Sequence, residues 1–303
     1  MKHFRGAFTP IVTPFLEDGA VDEGGLRRNV VRWMATPLTG LVVLGSNGEA
    51  PQLDDAEADR VIDIVRAAVP GDRPLIAGTG RESTRATIVA TQRAAAAGID
   101  AALVRTPAFF KSQMTTAAFV RHYTAVADAS PIPVLLYNVS MFTGVNLAPD
   151  AVATLASHPN IVGMKESGSD IGLIAEFIAQ TPDDFVVLAG SAATLFHALA
   201  AGCDGAILAL AALVPGEVVK MEALVTSGRL EEARALQRRL MPLARSIGGL
   251  HGVPGLKAAL ALMDFAAGPP RAPLLPVSPQ IVELLRAQLD NLGVLEKPSE
   301  VRG

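Results

Sequence analysis

A lysine that closes a run of uncharged residues has chemistry to offer. In Ile161-Val162-Gly163-Met164-Lys165-Glu166-Ser167, Lys165 ends such a run. Lysine is rarely buried without a partner. Desolvation favours a neutral amine over an ammonium, and a neutral amine in an apolar setting is the nucleophile that Schiff-base formation with a ketone requires. Position alone leaves two plainer readings open: an ammonium that snorkels to solvent, or one paired with Glu166. Tyr137 closes another run, after Leu135 and Leu136. A phenol there is a candidate proton carrier, or a core aromatic with its hydroxyl satisfied by backbone. The turn Gly45-Ser46-Asn47-Gly48-Glu49 sets a hydroxyl and an amide between glycines. Backbone N–H groups converge readily in such a turn and suit an anion, for example the carboxylate of a 2-keto acid. A plain turn is the alternative. In Ala189-Gly190-Ser191, Gly190 leaves room for a ligand, and Ser191 is expected to cap a helix.

Other chemistries lack their residues. His3, His122, His158, His197 and His251 are scattered, so no metal centre is expected. The single cysteine, Cys203, excludes an intrachain disulfide framework and a multi-cysteine zinc site. Gly78-Thr79-Gly80-Arg81-Glu82-Ser83 nearly matches a dinucleotide-binding loop, but its third glycine is missing and it follows the third strand. No Gly-x-Ser-x-Gly motif supports a serine hydrolase.

These residues lie at the ends of regularly spaced apolar runs. The runs cover 7–12, 40–44, 74–77, 101–104, 133–137, 161–164, 185–189 and 205–208. Continuous apolarity means burial on both faces, which suits parallel strands. Helix-like segments intervene. Residues 54–68 open with Asp54 and Glu57 at capping-box spacing, 83–97 start on Ser83, and 115–128 end before Pro131. Eight strands alternating with helices predict a (β/α)₈ TIM barrel, where chemistry sits at the C-terminal strand ends. An open doubly wound sheet is the alternative. After the eighth strand the segments 216–226, 230–247, 254–265 and 279–292 read as helices. The expected division is a barrel over 1–225 and a C-terminal helical extension over 226–303.

Composition fits a globular enzyme. Half of the 303 residues are hydrophobic and 18% are charged, which excludes disorder. A net charge of −4 disfavours a nucleic-acid-binding face. Lys2 and Arg5 are not followed by the apolar region of a signal peptide. The most apolar stretch, 192–214, is broken by His197, Gly202, Asp204 and Gly205, and reads as a helix plus a strand rather than a membrane span. A cytoplasmic protein is expected. The mean hydropathy of +0.35 hints at apolar surface buried between subunits.

Taken in order, the motifs resemble the dihydrodipicolinate synthase / N-acetylneuraminate lyase family of class I, pyruvate-handling aldolases. The likeness covers nearly the whole chain. It rests on the opening from Gly6 to Phe15, Gly45–Glu49, Gly78-Thr79-Gly80, Thr106-Pro107, Tyr137-Asn138, Gly163–Ser167, Leu188–Ser191 and Gly252–Lys257. The Ser46-Asn47 pair and the tail from Gly268 to Leu274 look most like 4-hydroxy-2-oxoglutarate aldolases. The resemblance implies that Lys165 forms an imine with the keto carbon and that Tyr137 shuttles protons. It implies that Ser46 and Asn47 bind the keto-acid carboxylate, that Gly190 lines the pocket, and that the assembly is a homotetramer built from dimers. No cofactor is implied.

Three positions depart from the family pattern. Phe109 stands where a relay tyrosine lent by the neighbouring subunit belongs, and Ser140 replaces a proline. Phe142 replaces the synthase arginine that grips the carboxylate of aspartate semialdehyde. The expected activity is therefore Schiff-base cleavage or formation of a 4-hydroxy-2-oxo acid such as 4-hydroxy-2-oxoglutarate, with pyruvate as one product. The rivals are dihydrodipicolinate synthase, a weak keto-acid-binding barrel favoured by Phe109, and a nicotinamide oxidoreductase resting only on the Gly78 loop. Arg105, before Thr106, is read either as a grip for a distal carboxylate or as half of a structural ion pair.

Overall fold

Each apolar run becomes a parallel strand of one closed barrel. The computed structural model describes residues 4–295, so His3 and residues 296–303 of the expected extension lie outside the described residues. The strands are β1 (Gly6–Pro10), β2 (Gly40–Val43), β3 (Leu75–Gly78), β4 (Ala101–Arg105), β5 (Val134–Asn138), β6 (Ile161–Glu166), β7 (Val186–Ala189) and β8 (Gly205–Ile207). They pair in chain order, and β8 closes on β1 through Gly6 opposite Gly205. This is the (β/α)₈ TIM barrel expected from the alternation, not the open sheet.

Helices fill the connections: α1 (Glu23–Met34), α2 (Asp55–Ala68), α3 (Thr84–Ala96), α4 (Thr116–Ala129), the single turn α5 (Ser140–Thr143), α6 (Pro149–Ala156), α7 (Ile171–Gln180), α8 (Leu195–Ala200) and α9 (Pro215–Thr226). Their starts follow local chemistry. Asp54 and Glu57 form a reciprocal capping box at α2, with bonds of 2.8 and 3.1 Å. Ser83 and Thr115 cap α3 and α4 by accepting from Ala86 and Ala118. Ser191 does not behave as expected. A short turn, Ala192–Thr194, separates it from α8, and its side chain makes no capping bond.

Side-chain alternation along the strands sorts the core into two layers. Phe8, Val42, Ile76, Leu103, Leu135, Tyr137, Leu188 and Ile207 fill the barrel interior. Their alternates, among them Leu41, Val43, Leu136, Met164 and Val187, pack beneath the helices. The register sets Lys165 beside Tyr137 on one side and Leu188 on the other. Both neighbours belong to the interior layer, so Lys165 is delivered to the inside of the barrel at its C-terminal end.

The extension consists of α10 (Leu230–Arg245), α11 (Gly252–Ala261) and α12 (Pro279–Leu292). The segment expected to be helical over 230–247 narrows to α10 and then widens into a π turn, Ser246–Leu250, which holds Gly248 and Gly249. Leu256, Leu260, Leu285 and Leu289 share the apolar cluster of the barrel's helical layer. Gln237 ties α10 to the β7 exit, accepting from Phe196 N–H and donating to Ala192 O. Among the described residues, no helix is long and apolar enough to cross a membrane.

Candidate active site

A cavity of about 810 Å³ opens at the C-terminal mouth of the barrel. Lys165, Tyr137, Ser46, Asn47 and Gly190 all line it. The five residues singled out in the sequence, carried on four different strand ends, are thus brought together. Lys165 is 6% exposed and its Nζ stands 4.5 Å from the centre of the Tyr137 ring. The Tyr137 hydroxyl lies 3.2 Å from Ser46 Oγ, in hydrogen-bond contact. An amine, a phenol and a second hydroxyl therefore form one row at the barrel mouth. That row can add the amine to a ketone and move protons to and from the adduct.

Two features build the Ser46-Asn47 turn. Leu44 and Glu49 flank it, and both adopt the left-handed region, with φ of 55° and 54°. Such conformations cost non-glycine residues of order 1–3 kcal/mol each and persist where the surroundings over-determine them. Here the fixing partner is Glu49, which is fully buried. Its Oε1 lies 2.6 Å from Lys257 Nζ, and its Oε2 accepts from Arg271 N–H at 2.8 Å. Lys257 also donates to Pro269 O at 2.9 Å. Burial pulls the Lys257 amine below its usual range, against the opposing pull of Glu49. The extension thus clamps the turn that carries Ser46 and Asn47. The sequence alone does not expose this clamp, because its members lie far apart along the chain.

Glu166 is a second group that sequence reading left as a possible partner of Lys165. Its carboxylate instead accepts from Asn138 Nδ2 at 2.6 Å and from Gly168 N–H. Burial pushes its carboxyl above the usual range, opposed by those hydrogen bonds. Asn138 itself donates to Asn146 Oδ1 and accepts from Leu147 N–H. Gly190 has no room for a side chain: a Cβ there would sit 2.3 Å from Ser167 Oγ and 2.9 Å from Glu166 O. Its absent side chain keeps the β6 and β7 ends close and the cavity open beside Lys165.

The remaining expectations resolve individually. Arg105 pairs with Glu82 at 2.7 Å, and Glu82 also accepts from Ala108 and Phe109 N–H. Burial raises the Glu82 carboxyl, but these three donors outweigh it and hold it below the usual range. Arg105 is the structural ion pair that shapes the loop after β4. Gly78 and Gly80 are explained by packing, since a Cβ would meet Leu44 O at 2.0 Å and Arg105 N at 2.6 Å. They do not form a dinucleotide cradle. Phe142 lines the cavity and is 59% exposed, whereas Phe109 is 78% exposed and lies outside its own chain's cavity. Among the described residues, no three His, Cys, Asp or Glu side chains gather into a metal-ligand group.

Comparison with known proteins places this geometry. A profile described as the Dihydrodipicolinate synthetase family matches residues 3–292. Two relatives named 4-hydroxy-tetrahydrodipicolinate synthase align along almost the full length of both chains. One, from Exiguobacterium, is 36% identical over 99% of each chain. The other, from Methanothrix thermoacetophila, is 38% identical over 99% of each. A solved dihydrodipicolinate synthase from Thermotoga maritima superposes with a TM-score of 0.91 at 34% identity, covering 96% of this chain and 99% of that one. These three carry the synthase name, so the expected nearer likeness to 4-hydroxy-2-oxoglutarate aldolases finds no support in them. The chain is a carbon–carbon lyase of the class I aldolase type and belongs to the dihydrodipicolinate synthetase family.

Proposed function

We propose that the chain is a pyruvate-handling Schiff-base lyase acting on a 4-hydroxy-2-oxo acid such as 4-hydroxy-2-oxoglutarate. The observation that carries this reading is the Lys165 amine. It is nearly buried, has no carboxylate partner among the described residues, and faces Tyr137. In this reading the amine adds to C2 of the keto acid and water leaves, giving a protonated imine. The C4 hydroxyl then loses its proton as the C3–C4 bond breaks, C4 leaves as the carbonyl of an aldehyde, and the electron pair of the broken bond passes into the imine to form an enamine. Protonation at C3 and hydrolysis release pyruvate and return the amine. Tyr137, coupled to Ser46, takes and returns the proton. Ser46 and Asn47 hold the keto-acid carboxylate, and Gly190 provides the space beside the imine. The protonated imine itself is the electron sink, so neither metal nor organic cofactor has a step to perform. The assembly is a homotetramer built from dimers, working in the cytoplasm.

A second reading, condensation of pyruvate with aspartate semialdehyde, is favoured by the names of the relatives. Against it stands Phe142. A phenyl ring offers no donor at the position where the family's arginine would hold that aldehyde's carboxylate. Reduction with borohydride in the presence of pyruvate, followed by peptide mapping, is expected to place the adduct on Lys165. Lys165→Ala is expected to abolish turnover. Assays of both reactions on one preparation separate the readings: pyruvate release from 4-hydroxy-2-oxoglutarate supports the lyase, and efficient condensation with aspartate semialdehyde defeats it. An adduct on Lys257 would overturn the site assignment.

A further inference from the structure

The lyase reading leaves a charge unanswered. 4-Hydroxy-2-oxoglutarate carries a second carboxylate at the end remote from the keto carbon. The cavity holds only two cationic side chains among its described lining residues, Lys165 and Arg245. Lys165 is committed to the keto carbon in that reading. Arg105 is committed to Glu82 and does not line the main cavity. Arg245 has neither commitment. It is the last residue of α10, is exposed, and its side chain makes no hydrogen bond or ion pair among the described residues.

Its placement is built rather than accidental. Ala244 and Ser246 on either side are buried, which fixes the backbone at this point. The π turn that follows carries Gly248 and Gly249 along the cavity, and a Cβ at either glycine would meet nothing within 4 Å. The rim next to Arg245 is therefore open to an incoming group. A guanidinium offers paired N–H donors at the spacing of two carboxylate oxygens, so it binds that group bidentately. Neither of the two acids that line the cavity is paired with it among the described residues. Glu166 is bonded to Asn138 and Gly168, and Asp170 caps α7 through Leu173 N–H.

We propose that Arg245 grips the distal carboxylate of the substrate and so selects dicarboxylic 2-oxo acids, a role that rests on the lyase reading above. A matched pair of five-carbon probes tests this without requiring turnover. 2-Oxoglutarate ends in a carboxylate, and 2-oxopentanoate ends in a methyl group. Each is titrated against borohydride trapping on Lys165, with pyruvate as a reference. The wild-type chain is expected to trap 2-oxoglutarate at the lower concentration. Arg245→Gln is expected to raise the 2-oxoglutarate requirement by about 10- to 100-fold, the scale of a lost charge-assisted contact, while pyruvate and 2-oxopentanoate keep theirs. Arg245→Lys should restore part of the preference. A wild-type chain indifferent to the distal group, or an Arg245→Gln variant that keeps the preference, would overturn this role alone. Absence of any pyruvate adduct on Lys165 would overturn the lyase reading and this role together.

Discussion

Replacing Lys257 with methionine tests the clamp on the Ser46-Asn47 turn. The pair it breaks is among the most deeply buried charges described, with Lys257 2% and Glu49 0% exposed at an N···O distance of 2.6 Å. Removing one member of such a pair strands the other charge, at a cost of about 3–5 kcal/mol. Glu49 keeps one donor, the Arg271 N–H at 2.8 Å, so the lower end of that range, about 3 kcal/mol, is expected. Glu49→Gln alone removes the charge that compensates Lys257, leaving its ammonium over the Phe15 ring with only the neutral oxygens of Pro269 and the new amide as acceptors. The double variant strands neither charge. Its loss is expected to fall short of the sum of the single losses by about 2 kcal/mol, within the range seen for directly coupled neighbours. Urea unfolding of the four chains at one pH reads this as shifts in midpoint at constant slope. The clamp also predicts a functional effect, because Glu49 closes the turn that carries Ser46 and Asn47. Lys257→Met should raise the pyruvate concentration needed for half-maximal trapping while leaving the adduct on Lys165. Additive losses, or a Lys257→Met chain within about 1 kcal/mol of wild type, would refute the coupling.

Tyr137→Phe keeps the ring against Lys165 but removes the hydroxyl that meets Ser46. It should lower kcat by about 10²- to 10⁴-fold with a smaller effect on KM, measured as pyruvate release; a nearly unchanged kcat would leave Tyr137 as packing only. His122 gives a pH signature. Burial pulls its imidazole from 6.5 down to about 4, so between these values the unfolded chain takes up a proton that the native chain refuses. Its contribution is therefore complete above pH 6.5 and is lost as the pH falls towards 4. The full effect amounts to about 3 to 4 kcal/mol. His122→Gln should flatten the stability profile over that window in urea unfolding, and a profile as steep as the wild type's would refute the assignment.

Much of this geometry was legible in the sequence, for a physical reason. A barrel strand is buried on both faces, so it appears as an uninterrupted apolar run, and the residue ending each run is delivered to the mouth. That is why Lys165, Tyr137, Ser46, Asn47 and Gly190 could be named before any fold was known. The end of β6 was less legible, since the strand runs on through Lys165 to Glu166. Backbone pairing is indifferent to side-chain polarity, and both polar groups find space or partners there. Long-range polar contacts were not legible at all. Nothing near Glu49 in the chain announces Lys257 or Arg271, and nothing before the π turn announces that Arg245 reaches the cavity rim. Ser191 failed as a cap because the chain takes a short turn before α8, a detail of loop geometry that residue type does not determine.

The two lysines buried among the described residues sit in different surroundings, and this bears on where the proposed imine would form. By composition and burial they are alike, at 6% and 2% exposure. Their surroundings differ. Lys257 has a carboxylate oxygen at 2.6 Å and a carbonyl at 2.9 Å, and these neighbours occupy its donors. An amine held in that way serves as structure. Lys165 has an aromatic face at 4.5 Å, a phenol bonded to a serine, and a cavity in front of it. The adjacent carboxylate that could have neutralised it, Glu166, is turned to the other side of the strand by the two-residue period and is satisfied by Asn138 and Gly168. Strand alternation thus separates a lysine from the acid next to it in sequence. One of these two amines is thereby left without a carboxylate partner, as the proposed imine chemistry requires, while the other anchors the turn proposed to hold the substrate's carboxylate.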